Sequence, residues 1–161
     1  MQEVMFKMNY AKIKYPDISN GRGIRVSLFV SGCRRKCKGC FNPEAWDFDY
    51  GEPFDEKAKN KIKSLLSLPH VTGLSVLGGE PLDVQNWKTV RNFLMEIRDQ
   101  FPEKTIWLYT GYIYENIIKR CKELPLLVDV VVDGEFIEAL ADKSLAFRGS
   151  RNQRIISMAK S

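Results

Sequence analysis

The chain has 161 residues, with 25 Lys and Arg against 20 Asp and Glu for a formal net charge of +5. That length suits a single domain over residues 1–161, and so modest a basic excess is no signature of direct nucleic-acid binding. No apolar run approaches the about 18 residues that cross a bilayer, and residues 1–15 hold no continuous apolar leader, so a cytoplasmic protein without a membrane partner is expected.

The first predicted element is a short alternating strand over residues 10–15, at a sheet edge, with Ala11, Ile13 and Tyr15 on one face. Pro16 and Asp17 end it. In the turn Asn20-Gly21-Arg22-Gly23, two glycines around one residue resemble a phosphate loop only superficially, since no Lys-Ser/Thr ending and no helix come after them. Residues 24–30, rich in β-branched and aromatic side chains, form the next strand.

That strand runs into Ser31-Gly32-Cys33-Arg34-Arg35-Lys36-Cys37-Lys38-Gly39-Cys40-Phe41. Cys33, Cys37 and Cys40 are spaced C-x3-C-x2-C, close enough for three thiolates to converge on one iron–sulfur cluster. Cluster ligation ordinarily takes four cysteines. Three would leave one iron open, as catalytic metals leave a position for something other than protein. A zinc site would need a fourth ligand, and only His70 and Cys121 remain; a disulfide would leave one thiol odd, in a chain with no sign of secretion. Gly32 and Gly39 suit a loop whose backbone lies close to a ligand. The charges of Arg34, Arg35, Lys36 and Lys38 either stabilise an anionic, thiolate-rich site and dock an acidic partner, or are solvated surface.

Asp55 can cap a helix reaching about residue 68, with Ala58, Ile62, Leu65 and Leu66 on its apolar face and the lysines at 57, 59, 61 and 63 in water. His70, beside Pro69, reads as a surface residue. A strand over residues 74–77 ends in Gly78-Gly79-Glu80-Pro81. Asp83 is then placed to cap a helix whose stripe is Val84, Trp87, Val90, Leu94, Ile97 and Phe101, which makes Trp87 a core residue. Residues 105–109 form another strand, ending in Thr110-Gly111-Tyr112. The next helix carries Tyr114, Ile117, Ile118 and Cys121 on one face, so Cys121 is expected in the core. A buried-type strand over 127–132 opens into Asp133-Gly134-Glu135-Phe136. The basic turn holding Arg148, Arg151 and Arg154 leads to a possible last strand.

Four of these segments, the cysteine loop and those beginning at Gly78, Thr110 and Asp133, come directly after strands. In alternating folds that edge is where sites assemble. Helices between strands imply an α/β fold with a mostly parallel sheet. An eight-unit barrel needs about 250 residues, so this chain can build only part of one. A glycine pair lets a ligand approach the backbone at 78–79, while Glu80 and nearby carbonyls can accept from an ammonium group.

The cysteine spacing resembles that of radical S-adenosylmethionine enzymes. Cys40-Phe41-Asn42-Pro43-Glu44-Ala45-Trp46 resembles the segment that begins at the third cysteine in activating proteins of anaerobic ribonucleoside-triphosphate reductases. Landmarks at residues 9–10, 17–23, 28–32, 78–82, 107–112, 131–136 and 147–153 extend the likeness over nearly the whole chain. Arg22 stands where many members of that family have proline, and Gly39 where many radical enzymes have an aromatic residue.

The resemblance implies a partial, laterally open (β/α) barrel. It implies a 4Fe-4S cluster on Cys33, Cys37 and Cys40, and S-adenosylmethionine held by its amino group at Gly78, Gly79 and Glu80 and by its adenine near Gly39, Cys40 and Phe41. The implied activity is generation of a 5′-deoxyadenosyl radical that installs a glycyl radical on the large catalytic subunit of the reductase, with electrons from a donor such as a flavodoxin. No side chain need act as a catalytic acid or base, because the cofactor carries the chemistry. Arg148, Arg151 and Arg154 are candidates for contact with a substrate carboxylate or the partner. An activase of the pyruvate formate-lyase type would share the cluster and the Gly-Gly-Glu segment, and a zinc-binding adaptor would use the same three thiols.

Overall fold

A strand whose alternate residues suit different surroundings sets the architecture. In the computed structural model, which describes residues 7–34 and 46–158, every residue of β2 (Arg25–Val30) is buried. Its Val26, Leu28 and Val30 join one apolar cluster with Ala58, Ile62 and Leu66 of the helix α1 (Glu56–Leu66). Side chains alternate across a strand, so Arg25, Ser27 and Phe29 fall on the opposite face. The same parity sorts β4 (Gly73–Gly78) and β5 (Thr105–Tyr109): Leu74, Val76, Ile106 and Leu108 face the helical layer, whereas Trp107 belongs to a second cluster with Val130 and Val132.

The remaining elements are β1 (Asn9–Asp17), β3 (Glu52–Pro53), α2 (Trp87–Gln100), α3 (Tyr114–Ile117), α4 (Leu124–Leu127), β6 (Val130–Asp133) and β7 (Arg154–Ser157). Seven strands make one sheet in the order β3-β1-β2-β4-β5-β6-β7. The four central strands are mutually parallel, while β1, β3 and β7 pair antiparallel at the flanks. The sheet is therefore mixed. Residues 18–24 are too few for the crossover that parallel neighbours need, so β1 and β2 can only form a hairpin. Among the described residues no helix is long and apolar enough to cross a membrane.

Asp55 caps α1 as expected, its carboxylate accepting from the Ala58 N–H at 3.0 Å. Trp87 is in the core, and Cys121 is fully buried, its thiol pushed up to about 11 by desolvation. Other expectations are corrected. The helix after the Gly-Gly-Glu segment begins only at Trp87, leaving Val84 64% exposed, and the helix at 114 stops at Ile117. Residues 124–127 form α4 with proline in its first turn, so the strand expected from 127 starts at Val130. β3 pairs with only Asn9 and Tyr10, so beyond them β1 has a described strand partner on one side alone.

The end of the sheet where the parallel strands begin is held by Arg25, which is fully buried. Its guanidinium donates to Ser75 Oγ, Thr105 Oγ1 and the carbonyls of Arg22, Leu74 and Thr105, all within 2.9 Å. Burial lowers its pKa to about 10. All five donors are used, so three strands and the 18–24 turn are fastened at the end remote from the cysteine loop.

Candidate functional site

Parallel pairing fixes where the chemistry-bearing loops lie. Val30 is in register with Gly78, and Tyr109 with Val132, so the segments after β2, β4, β5 and β6 all leave from one edge. Of the expected cluster ligands, Cys33 is half-buried at this edge. Cys37, Gly39, Cys40 and Phe41 lie outside the described residues, as do Arg35, Lys36 and Lys38. The base of the loop that carries them is closed where the Cys33 N–H donates to the Trp46 carbonyl at 3.0 Å.

The Gly-Gly-Glu segment is joined to the cysteine loop by backbone. The Gly79 N–H donates to Val30 O and the Glu80 N–H to Gly32 O, each at 2.8 Å. These two bonds extend the β2–β4 pairing past the strand ends. A Cβ on Gly79 would lie 2.6 Å from Gly32 O, and one on Gly32, where φ is 100°, would lie 2.0 Å from the Phe48 ring. Close approach of the two loops thus calls for glycine at 79, and the positive φ and the Phe48 ring call for it at 32.

Glu80 carries the fastening to the next loop. Only 2% exposed, its carboxylate accepts from Thr110 Oγ1 at 2.7 Å, the Gly111 N–H at 2.7 Å and the Leu82 N–H at 3.0 Å. Asn86, unremarkable in the sequence, closes the other side: its side-chain amide donates to the carbonyls of Ser31 and Glu80, both at 3.0 Å. The sequence marks Thr110 only as the start of a segment at this edge and gives no sign of Asn86, because a hydroxyl and an amide reveal their partners only once β2, β4 and β5 are aligned.

Arg34 resolves its two readings in a third way. Its Nε donates to Asp83 at 2.9 Å, and its guanidinium lies 4.9 Å from the centre of the Phe48 ring. The partner carboxylate is almost wholly buried. Asp83 also accepts from the Gln85 N–H at 2.9 Å, so it organises a turn and the cysteine loop instead of capping α2.

Beyond this cluster, Asp133 is fully buried; it accepts from the Tyr114 N–H at 2.8 Å and from the guanidinium of Arg154, which also reaches Glu115 at 2.6 Å. Arg154 is therefore occupied with the protein. Arg148 donates to the Gln153 carbonyl at 3.2 Å, and Arg151 is exposed. His70 Nε2 and Tyr15 Oη are hydrogen-bonded at 2.5 Å on the surface, away from the loops.

The residues present suit an iron–sulfur group at the cysteine loop. Among the described residues no three His, Cys, Asp or Glu side chains form a rival metal site. Two buried polar atoms on segments bordering the loop, Trp46 Nε1 and Asn86 Oδ1, have no hydrogen-bond partner. An uncompensated buried donor or acceptor calls for an explanation such as a missing group.

Comparison with known proteins agrees. A family model described as a 4Fe-4S single cluster domain matches residues 19–156. A protein of Enterobacteria phage T4 named anaerobic ribonucleoside-triphosphate reductase-activating protein is 43% identical over 152 residues, covering 93% of this chain and 94% of its own. Proteins of the same name from Haemophilus influenzae and Escherichia coli K12 are 39% and 38% identical, over 92% and 91% of this chain and 97% and 96% of theirs.

Proposed function

Because the chain belongs to the family of anaerobic ribonucleoside-triphosphate reductase-activating proteins, with a 4Fe-4S single cluster domain, we propose that this activating enzyme works on its reductase through S-adenosylmethionine bound beside the cluster. The observation that carries the reading is the joining of the Cys33 loop to the Gly-Gly-Glu segment through the 2.8 Å bond from Glu80 N–H to Gly32 O. Two segments that must act on one ligand are held as a unit.

Cys33, Cys37 and Cys40 would hold the cluster, three thiolates being one fewer than full ligation takes. Bound beside S-adenosylmethionine and reduced by an external donor, it would supply the radical chemistry that removes a hydrogen atom from a glycine of the reductase. Gly78, Gly79 and Glu80 orient the methionine end. The Glu80 carboxylate does so from a fixed position, because Thr110, Gly111 and Leu82 hold it. Gly39, Cys40 and Phe41 meet the adenine. The protein's work is positioning and exclusion of water, and no side chain is required as acid or base.

Four parallel strands with a helical layer on one face support a partial, laterally open barrel. An external donor such as a flavodoxin meets the cysteine loop; with Arg34 taken up by Asp83, Arg35, Lys36 and Lys38 supply the charge for that contact.

The test is anaerobic reconstitution with iron and sulfide, reduction with dithionite, and assay of 5′-deoxyadenosine from added S-adenosylmethionine. Product that requires all three loop cysteines is expected. A colourless protein with one bound zinc and no product would overturn the reading.

A further inference from the structure

The two long helices begin differently. α1 starts at Asp55, whose carboxylate accepts from the Ala58 N–H and so caps the helix. α2 starts at Asn86, and asparagine is as good a cap as aspartate. Yet the Asn86 side chain makes no capping bond to its own helix. It turns away, and its Nδ2 donates to the carbonyls of Ser31 and Glu80 instead.

This arrangement costs stability in two places. The first turn of α2 goes without the side-chain acceptor that helix starts ordinarily use. Asn86 Oδ1 is buried with no hydrogen-bond partner, whereas nearly all buried acceptors are satisfied. Turning the amide over would bring no relief, because Oδ1 would then face two carbonyl oxygens. A residue set against two local preferences at once marks a functional site rather than an ordinary helix start.

The two carbonyls say which site. Ser31 lies two residues before Cys33, and Glu80 closes the Gly-Gly-Glu segment. The backbone bonds from Gly79 and Glu80 join these segments along the sheet, and Asn86, only 1% exposed, adds a brace from the helical layer. Glu80 O also accepts from the Asp83 N–H at 3.2 Å, so both its lone pairs are engaged and that peptide cannot turn freely.

We propose that Asn86 is a positioning residue of the activation reaction. Its amide fixes the spacing between the cysteine loop and the Gly-Gly-Glu segment, and with it the approach of S-adenosylmethionine to the cluster. This rests on the reading of the chain as an S-adenosylmethionine-dependent activator.

Asn86→Asp and Asn86→Ser test it, since both residues are good helix caps and neither can donate to two carbonyls. In the reconstituted, reduced protein, titration with S-adenosylmethionine changes the electron paramagnetic resonance signal of the cluster and gives a Kd per loaded cluster. That Kd is expected to rise about tenfold in both variants, the effect of losing two buried hydrogen bonds. An unchanged Kd in both would overturn the proposal and leave the activator reading in place. A wild type whose signal does not respond to S-adenosylmethionine would overturn both. The cluster-free protein supplies a second readout: exchange of the Glu80 N–H, which is bonded to Gly32 O, is expected to quicken about tenfold in Asn86→Ser. An unchanged rate there would overturn the proposal even in a variant that loads no cluster.

Discussion

Arg34 and Asp83 lie 2.9 Å apart across two loops, the arginine side chain 59% exposed and the carboxylate 2% exposed. The asymmetry matters, since solvent screens the arginine and discounts the pair's worth, whereas a carboxylate left buried without it is costly. Arg34→Ala is therefore expected to loosen the cysteine loop more than an exposed pair would suggest. Iron release from the reconstituted protein to a chelator should quicken severalfold, with Asp83→Asn and Arg34→Ala together no worse than Arg34→Ala alone. Additive effects in that cycle would refute the coupling.

The four cysteines should separate cleanly. Cys33→Ser, Cys37→Ser or Cys40→Ser is expected to abolish S-adenosylmethionine cleavage; full activity in any of them would sink the ligand assignment. Cys121→Ala should keep the cluster and lose about 1 kcal/mol of stability, the usual effect of deleting one buried heavy atom. With its pKa near 11 and its side chain fully buried, Cys121 should resist alkylation at pH 8 until denaturant is added.

Glu80→Gln keeps the size but replaces one acceptor oxygen with a donor among three donors, those of Thr110, Gly111 and Leu82. A loss of about 2–3 kcal/mol is expected, as for hydrogen bonds to a charged group. Urea unfolding of the cluster-free protein measures it, independently of any bound cofactor. A change under about 0.5 kcal/mol, the level of an ordinary surface substitution, would mean that the carboxylate is not what joins the β4 and β5 loops.

Asp17 should set part of the acid limit. Burial alone would raise its carboxyl, but hydrogen bonds from Ser27 Oγ, Asn20 Nδ2 and the Ser19 N–H hold it below its usual value. A depressed pKa means stability present above the unfolded value of about 3.9 and lost as pH falls through the folded one. Urea midpoints taken from pH 7 down to pH 3 should fall more steeply in the wild type than in Asp17→Asn. Parallel curves would show that the folded carboxyl titrates normally.

Where local pattern and tertiary packing agree, the sequence is an adequate guide: residues 105–109 are each β-branched, aromatic or apolar, and they form β5 with those bounds. The apolar run from 124 to 132 suits either a buried strand or a helical turn, and periodicity alone does not divide it. Proline near its start favoured the turn that became α4. Val84 fits the apolar stripe only on the premise that the helix begins just after Asp83, whereas α2 begins at Trp87 with Asn86 at its N-cap. At the site, the cysteines and Gly-Gly-Glu are visible as motifs because their chemistry is local. Asn86 reaches Ser31, and Thr110 reaches Glu80, only because the sheet aligns their loops, and Arg25 gives no sign in sequence that a charged strand residue is sealed from water.

The Glu80 carboxylate joins the β4 loop to residues thirty and thirty-one positions further on, while its backbone is tied to Gly32 and Asn86. Anyone transplanting the cysteine loop into another scaffold, or exchanging it with that of a relative, would be moving one piece of a four-part graft. Glu80, Asn86 and the Thr110-Gly111 turn have to travel with it, at their present spacing on adjacent parallel strands, or the donated loop will arrive without the frame that gives it shape.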